Sequence, residues 1–230
     1  MSHKICNFVL VRLAQTEQSA NDVVSGKWQE SGLSHVGHEQ SQALAKRIEA
    51  FSFVALYSSP SLGAIETANH ISTRLNLPVQ IEETFREIGL GILESQSRET
   101  FHKTHPNEYR KFFEDVPVDS GDMPIIPGAE TRNEALRRSL SKLRDLSKIH
   151  SGGNVIVVTH GHLIKVIICG LQIGFEKIWC FNQTNTSLNI ISLGGKIDMV
   201  HVMGDLAHLE MVGLNADNVK KEVGGMMVLQ

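Results

Sequence analysis

The chain has 230 residues, 41% of them apolar and 20% charged, with 22 basic against 25 acidic side chains and a formal net charge of −3. That is enough length to bury a substantial core, and too little net charge to point to nucleic acid or an anionic membrane as partner. Three cysteines, Cys6, Cys169 and Cys180, stand at no metal-binding spacing, which argues against a disulfide scaffold or structural zinc site and for a reducing compartment. The first residues run directly into a strand-like segment with no leader pattern, and no apolar stretch reaches membrane-spanning length. The expectation is a cytoplasmic protein with no membrane partner.

Residues 5–11 form an apolar, β-branched run that reads as a buried strand. The polar stretch 15–32, with Gly26 and Gly32, reads as a loop. Val36, Gln40, Ala43, Leu44 and Ile48 recur at helical spacing behind a Leu33-Ser34 cap. A strand over 53–57 runs into Ser58-Ser59-Pro60 and a helix over 64–75, and 78–81 is a short strand. The pattern predicts a helix over 101–115, a proline-bearing loop or lid over 116–127, and a long basic helix over 131–148. Residues 155–159 are the clearest strand, followed by a helix from about 162 to 171. Segments 187–193 and 197–203 form an antiparallel pair joined at Gly194-Gly195.

This alternation predicts a three-layer α/β/α sandwich around a mostly parallel sheet. Residues 1–210 are expected to form one domain, with a lid over about 96–131, and 211–230 a C-terminal extension. Such sheets bind ligands at the carboxyl ends of their strands, where strand order reverses. Arg12, Ser58 and His160 each follow a predicted strand, so one crevice can gather all three.

Seven segments carry a resemblance, among them Gly26-Lys27-Trp28-Gln29 with Leu33-Ser34-His35-Val36-Gly37-His38-Glu39-Gln40-Ser41-Gln42-Ala43, which is similar to the stretch after a first motif. Val9-Leu10-Val11-Arg12-Leu13-Ala14-Gln15-Thr16 is a strand ending in Arg and a polar turn, and resembles an Arg-His-Gly-Glu-Thr signature. Tyr57-Ser58-Ser59-Pro60 with Thr67-Ala68 resembles a Ser-Ser-Pro helix start, and Phe85-Arg86-Glu87-Ile88-Gly89 a stretch carrying an acidic proton donor. Pro127-Gly128-Ala129-Glu130-Thr131 resembles a Pro-Gly-Gly-Glu-Ser lid element. Val158-Thr159-His160-Gly161 resembles a second histidine motif, and Asn185-Thr186-Ser187 the start of a last strand. In this order they resemble the histidine phosphatase superfamily, the phosphoglycerate-mutase-like proteins, over most of the chain.

The resemblance implies a phosphoglycerate mutase-like fold and a metal-independent site without cofactor. It places catalytic groups at Glu87 and His160, and substrate-binding groups at Arg12, Leu13, Gln15, Ser19, Ser59, Gly63 and Gly161. It also shows two losses. Leu13 stands where the family has its nucleophilic His, and Gly63 where it has a second Arg. A charge-assisted hydrogen bond contributes about 1.5–3 kcal/mol, so losing two partners weakens phosphate binding by roughly 10²- to 10⁴-fold.

No leucine attacks phosphorus, and the expectation is therefore a homologue that is not a phosphatase. In it Arg12 would hold an anionic group of a small, partly apolar metabolite, while Glu87 and His160 carry acid/base chemistry such as hydrolysis, elimination or isomerisation. The alternatives are a non-catalytic binder of a metabolite or protein, and a residual water-mediated phosphatase. Leu13, Gly63 and Ile65 are expected to leave the pocket drier and roomier. His160 beside Arg12 is expected to be neutral, and Glu87 to be pulled up by desolvation and down by Arg12.

His160-Gly161-His162 has metal-compatible spacing, but His162 is expected on the following helix, pointing elsewhere. His35/His38 and His102/His105 read as solvated helix-face pairs. Arg132, Arg137, Arg138, Lys142 and Arg144, alternating with acidic residues, read as a solvated amphipathic helix rather than a nucleic-acid patch. The expected partner is a small anionic molecule; relatives of this fold are often dimers or tetramers, which puts a homo-oligomer among the expectations.

Overall fold

The computed structural model describes residues 4–24, 31–114 and 121–214. In chain order it places β1 (Cys6–Arg12), the one-turn helix α1 (Glu17–Ala20), α2 (His35–Ile48), β2 (Ala55–Ser58), α3 (Leu62–Leu75) and β3 (Val79–Ile81). Then come α4 (Arg98–Thr104), α5 (Pro106–Tyr109), a wide helical turn at Arg110–Glu114, and α6 (Arg132–Ile149). β4 (Asn154–Thr159), α7 (Gly161–Ile168), β5 (Leu188–Leu193), β6 (Met199–Asp205) and α8 (Ala207–Glu210) follow.

The six strands form one sheet in the order β3-β2-β4-β1-β5-β6. The first four are parallel neighbours, and β5 and β6 add an antiparallel edge. Period-two alternation divides β1 between two cores: Phe8 and Leu10 pack with α6 and α7, while Val9 and Val11 pack with α2 and α3. Helices thus cover both faces, and the adjacent carboxyl ends of β1 and β4 open where their following helices part to opposite sides.

Local chemistry sets most boundaries. Ser34 caps α2 by accepting from the Gly37 amide, and Thr131 with Glu134 forms a reciprocal capping box on α6. The single helix expected over 101–115 is instead broken, because a residue before proline is driven out of the helical region; His105 sits at φ −136°, ψ 60° and Pro106 starts α5. The helix after β4 begins one residue earlier than expected, at Gly161, and ends in a wider turn over Cys169–Ile173.

Within the expected lid, Phe101, Phe112 and Ile126 are buried in the larger core; residues 115–120 lie outside the described residues. Of the expected C-terminal extension only 211–214 is described, just after α8, where His208 Nε2 lies 3.0 Å from Thr186 Oγ1. Among the described residues no helix is long and apolar enough to cross a membrane.

The reading of α6 as a solvated basic helix needs correction. Arg132 is buried. Arg138 turns inward, grips both Glu130 carboxylate oxygens at 2.7 and 2.9 Å, and donates to the carbonyls of Thr84, Arg86 and Glu87. Its guanidinium fork satisfies five acceptors at once, fixing the segment that carries Glu87. Burial works against ionisation of Glu130, but Arg138, the Gly89 amide and Arg86 hold its carboxyl below the usual range.

Candidate active site

Strand ends deliver the first groups. Arg12 closes β1, and its guanidinium donates to the Gln183 carbonyl. His160 follows β4 as the residue before α7; it is 3% exposed, and its Nε2 lies 2.7 Å from Ser59 Oγ, just past β2. Ser58, named from the sequence, instead turns its hydroxyl back onto the Ser59 carbonyl. Burial, reinforced by Arg12 and Arg138, lowers the His160 pKa to about 3, so the imidazole is neutral as expected. A Cβ at Gly161 would lie 3.2 Å from Arg12 Cδ and Nε, so the absent side chain is what lets the guanidinium stem cross the first turn of α7.

Glu87 is half-buried, with its carboxyl turned to the start of α7. It accepts from the His162 amide at 3.2 Å, the Leu163 amide at 2.9 Å and its neighbour Ile88 at 2.9 Å. Burial raises its pKa; those amides and Arg12 oppose it, and burial prevails. A carboxyl whose pKa is raised is better suited than an ordinary one to protonate a leaving oxygen.

The opposite wall differs from expectation. Leu13 does not open the pocket: its side chain belongs to the core under α2 and α3. An added Cβ at Gly63 would stand 2.6 Å from Thr16 Cγ2 and 3.0 Å from Leu13 Cδ1. The place that the resemblance assigns to a second Arg is filled, not vacated, because the smaller side chains let the wall close in. Gln15 accepts from Ser34 Oγ at 2.8 Å, and Ser19 completes the cap of α1 with Thr16. Both these side chains hold loops beside the crevice.

A narrow cleft next to the segment carrying Glu87 is lined by Ile88, Leu90, Phe112, Ile126, Arg132 and His162, and Arg12, Ser59 and His160 do not line it. His162 does lie on α7, its ring centroid 5.7 Å from Phe112 and 5.6 Å from Trp179. Burial, with Arg132 and Lys165 nearby, lowers its pKa to about 3. Among the described residues no group of three or more His, Cys, Asp or Glu is placed to hold a metal ion. Of the helix-face pairs, His35 is solvent-facing beside Glu39, whereas His38 Nδ1 meets His70 Nε2 at 3.1 Å. His102 packs on Tyr109 and His105 stacks on Phe101.

Sequence reasoning missed Lys165 and Trp179, whose rings and charge wall the α7 side. The available signal was a lone lysine inside the apolar run Leu163 to Ile168.

Comparison with known proteins gives this geometry its chemical context. A family model described as "Histidine phosphatase superfamily (branch 1)" matches residues 8–205. The chain is 29% identical to "Metal-independent phosphoserine phosphatase" of Arabidopsis thaliana, over 91% of this chain and 86% of that one. It is 26% identical to "Phosphoserine phosphatase 1" of Hydrogenobacter thermophilus, over 87% and 93% respectively. Among solved structures, "Bacillus stearothermophilus YhfR" superposes with a TM-score of 0.80 at 27% identity, covering 89% of this chain and 99% of that one. These relatives correct the functional expectation. A repurposed enzyme without phosphatase activity, and its alternative, a non-catalytic binder, both stand against relatives named for phosphatase activity along nearly their whole length.

Proposed function

This chain belongs to the histidine phosphatase superfamily, branch 1, and from that premise we propose that it hydrolyses phosphomonoesters of small metabolites. The observation that carries the reading is the gathering of Arg12, Ser59 and His160 at the strand ends, with Glu87 at the start of α7, in a chain whose relatives are named as phosphoserine phosphatases.

Leu13 offers no nucleophilic atom, so the attacking group is water. Phosphoryl transfer passes through a loose transition state that needs positioning and charge more than a strong nucleophile. Arg12 supplies fixed charge to the phosphoryl oxygens, with the neutral His160–Ser59 pair beside it. Water forms the new P–O bond as the ester P–O bond breaks. Glu87 gives its proton to the departing oxygen, and the proton lost by the attacking water restores it.

Ile88, Leu90 and Phe112 along the cleft favour a leaving group with some apolar surface, and the relatives' names make phosphoserine the first ester to test. The free cysteines fit a cytoplasmic setting. The test is release of inorganic phosphate from phosphoserine and a panel of small phosphomonoesters, in chelator, by wild type and Glu87→Gln. Release that depends on Glu87 is expected. Wild type indistinguishable from Glu87→Gln on every ester would overturn the reading.

A further inference from the structure

α7 carries one cation in an otherwise apolar run, Leu163-Ile164-Lys165-Val166-Ile167-Ile168. Lys165 is 8% exposed. Its Nζ stands 4.6 Å from the Trp179 ring centroid and 5.7 Å from that of Phe181, and among the described residues it has no hydrogen bond or ion pair. Cation–π contact offsets only part of the cost of burying an ammonium. Burial, then the Arg12 charge, lowers its pKa to about 8. The indole Nε1 of Trp179 is buried without an acceptor. An ammonium with no protein acceptor beside a buried indole donor with none is an arrangement that an anion would complete.

Its place in the helix aims it. Lys165 lies four residues after Gly161, on the same face, and helical side chains tilt toward the N-terminus. That direction leads to the turn where Gly161 meets Arg12. The segment carrying Trp179 and Phe181 continues to Gln183, whose carbonyl holds Arg12. On the other wall, Thr16 and Leu13 leave Gly63 no room for a cation.

We propose that Lys165 is a substrate-binding residue, supplying the second positive charge to the phosphoryl group from the α7 side. This rests on the phosphomonoester reading above. The charged and titratable groups around Lys165 are Arg12 on β1, His162 and Cys169 on its own helix and its continuation, and Cys180. Between pH 7 and 9 His162 (about 3) and Cys169 (about 12) do not change charge. The exposed Cys180 thiol is removed by working in a Cys180→Ser background.

The experiment is calorimetric titration of the intact chain with inorganic phosphate, together with melting curves, for Cys180→Ser alone and with Lys165→Met or Lys165→Arg. Phosphate affinity is expected to fall about 10- to 100-fold in Lys165→Met, to survive largely in Lys165→Arg, and to drop in the parent as pH rises through about 8. Without ligand, Lys165→Met is expected to melt about 2–4 °C higher, since a buried unpaired charge is gone; a merely structural lysine would lower the melting point. Unchanged affinity in a folded Lys165→Met overturns the assignment and leaves the phosphatase reading standing. Should Lys165→Met not fold, a parent affinity for sulfate, whose charge is constant from pH 7 to 9, that stays flat over that range overturns it equally. A parent that neither binds phosphate nor releases it from any ester sinks the phosphatase reading itself.

Discussion

On the α7 side of the crevice, Arg12, His160, Glu87 and Lys165 stand around a helix start whose amides are already engaged by a carboxyl. On the α3 side the corresponding space holds Leu13, Gly63 and the Thr16 methyl, packed into a continuous apolar core. One wall carries charge and proton-transfer groups; the other is a steric surface. Small or apolar side chains at a site need not enlarge it, because their neighbours pack against them. At Leu13 and Gly63 the wall is packed by the Thr16 methyl and the Leu13 side chain, so in the proposed reaction the phosphoryl group is held from the α7 side. In the proposed reaction Glu87 is the acid and Arg12 the cation, His160 Nε2 is engaged by Ser59, and Leu13 supplies no nucleophile, which is why water attack is the route assigned.

The largest effect is expected at Glu87. Glu87→Gln is expected to lower kcat about 10²- to 10⁴-fold. Burial raises the Glu87 pKa, so the protonated acid is lost as pH rises through that raised value; wild-type kcat should fall on that side, and the fall should vanish in the variant. Steady-state pH profiles of the two proteins decide it. Next, Arg12→Met should reduce kcat/KM about 10- to 100-fold, read from phosphate release at subsaturating ester.

On the other wall the expected effect is on stability. Ala normally improves a helix over Gly by up to about 1 kcal/mol, yet Gly63→Ala should destabilise by about 1–3 kcal/mol through overpacking against Thr16 and Leu13. Urea denaturation measures this, and a neutral or stabilising result would mean that the α3 wall is open after all. The smallest expected change is in Ser59→Ala, which removes the His160 partner. It should cost kcat/KM only a few-fold, the net worth of about 1 kcal/mol for one hydrogen bond. A loss as large as that of Glu87→Gln would instead place Ser59 in the chemistry.

Much of the frame was legible in the sequence because it rests on local rules. The β4 run Val155 to Val158 is uninterrupted and apolar, Ser34 and Thr131 are capping residues, and Gly194 turns the last hairpin at φ 87°. Arg12 and His160 were legible because strand ends place them, whereas the strand-end reading named Ser58 and only the resemblance named Ser59, the residue that meets His160. What was not legible depends on partners far along the chain. Arg138 looks like any helix-surface arginine until the carbonyls of residues 84, 86 and 87 are seen beneath it. Closure of the pocket at Gly63 follows from Thr16 and Leu13, which local periodicity cannot bring there. Lys165 was passed over inside an apolar helix, since pattern reading weighs the stripe and not its exception.

The most direct measurement is a single-turnover quench of the wild-type protein with phosphoserine radiolabelled in its phosphoryl group, in chelator. Direct attack by water requires labelled inorganic phosphate to accumulate while the protein stays unlabelled at every time point. Label on the protein, or no labelled phosphate at all, would contradict it.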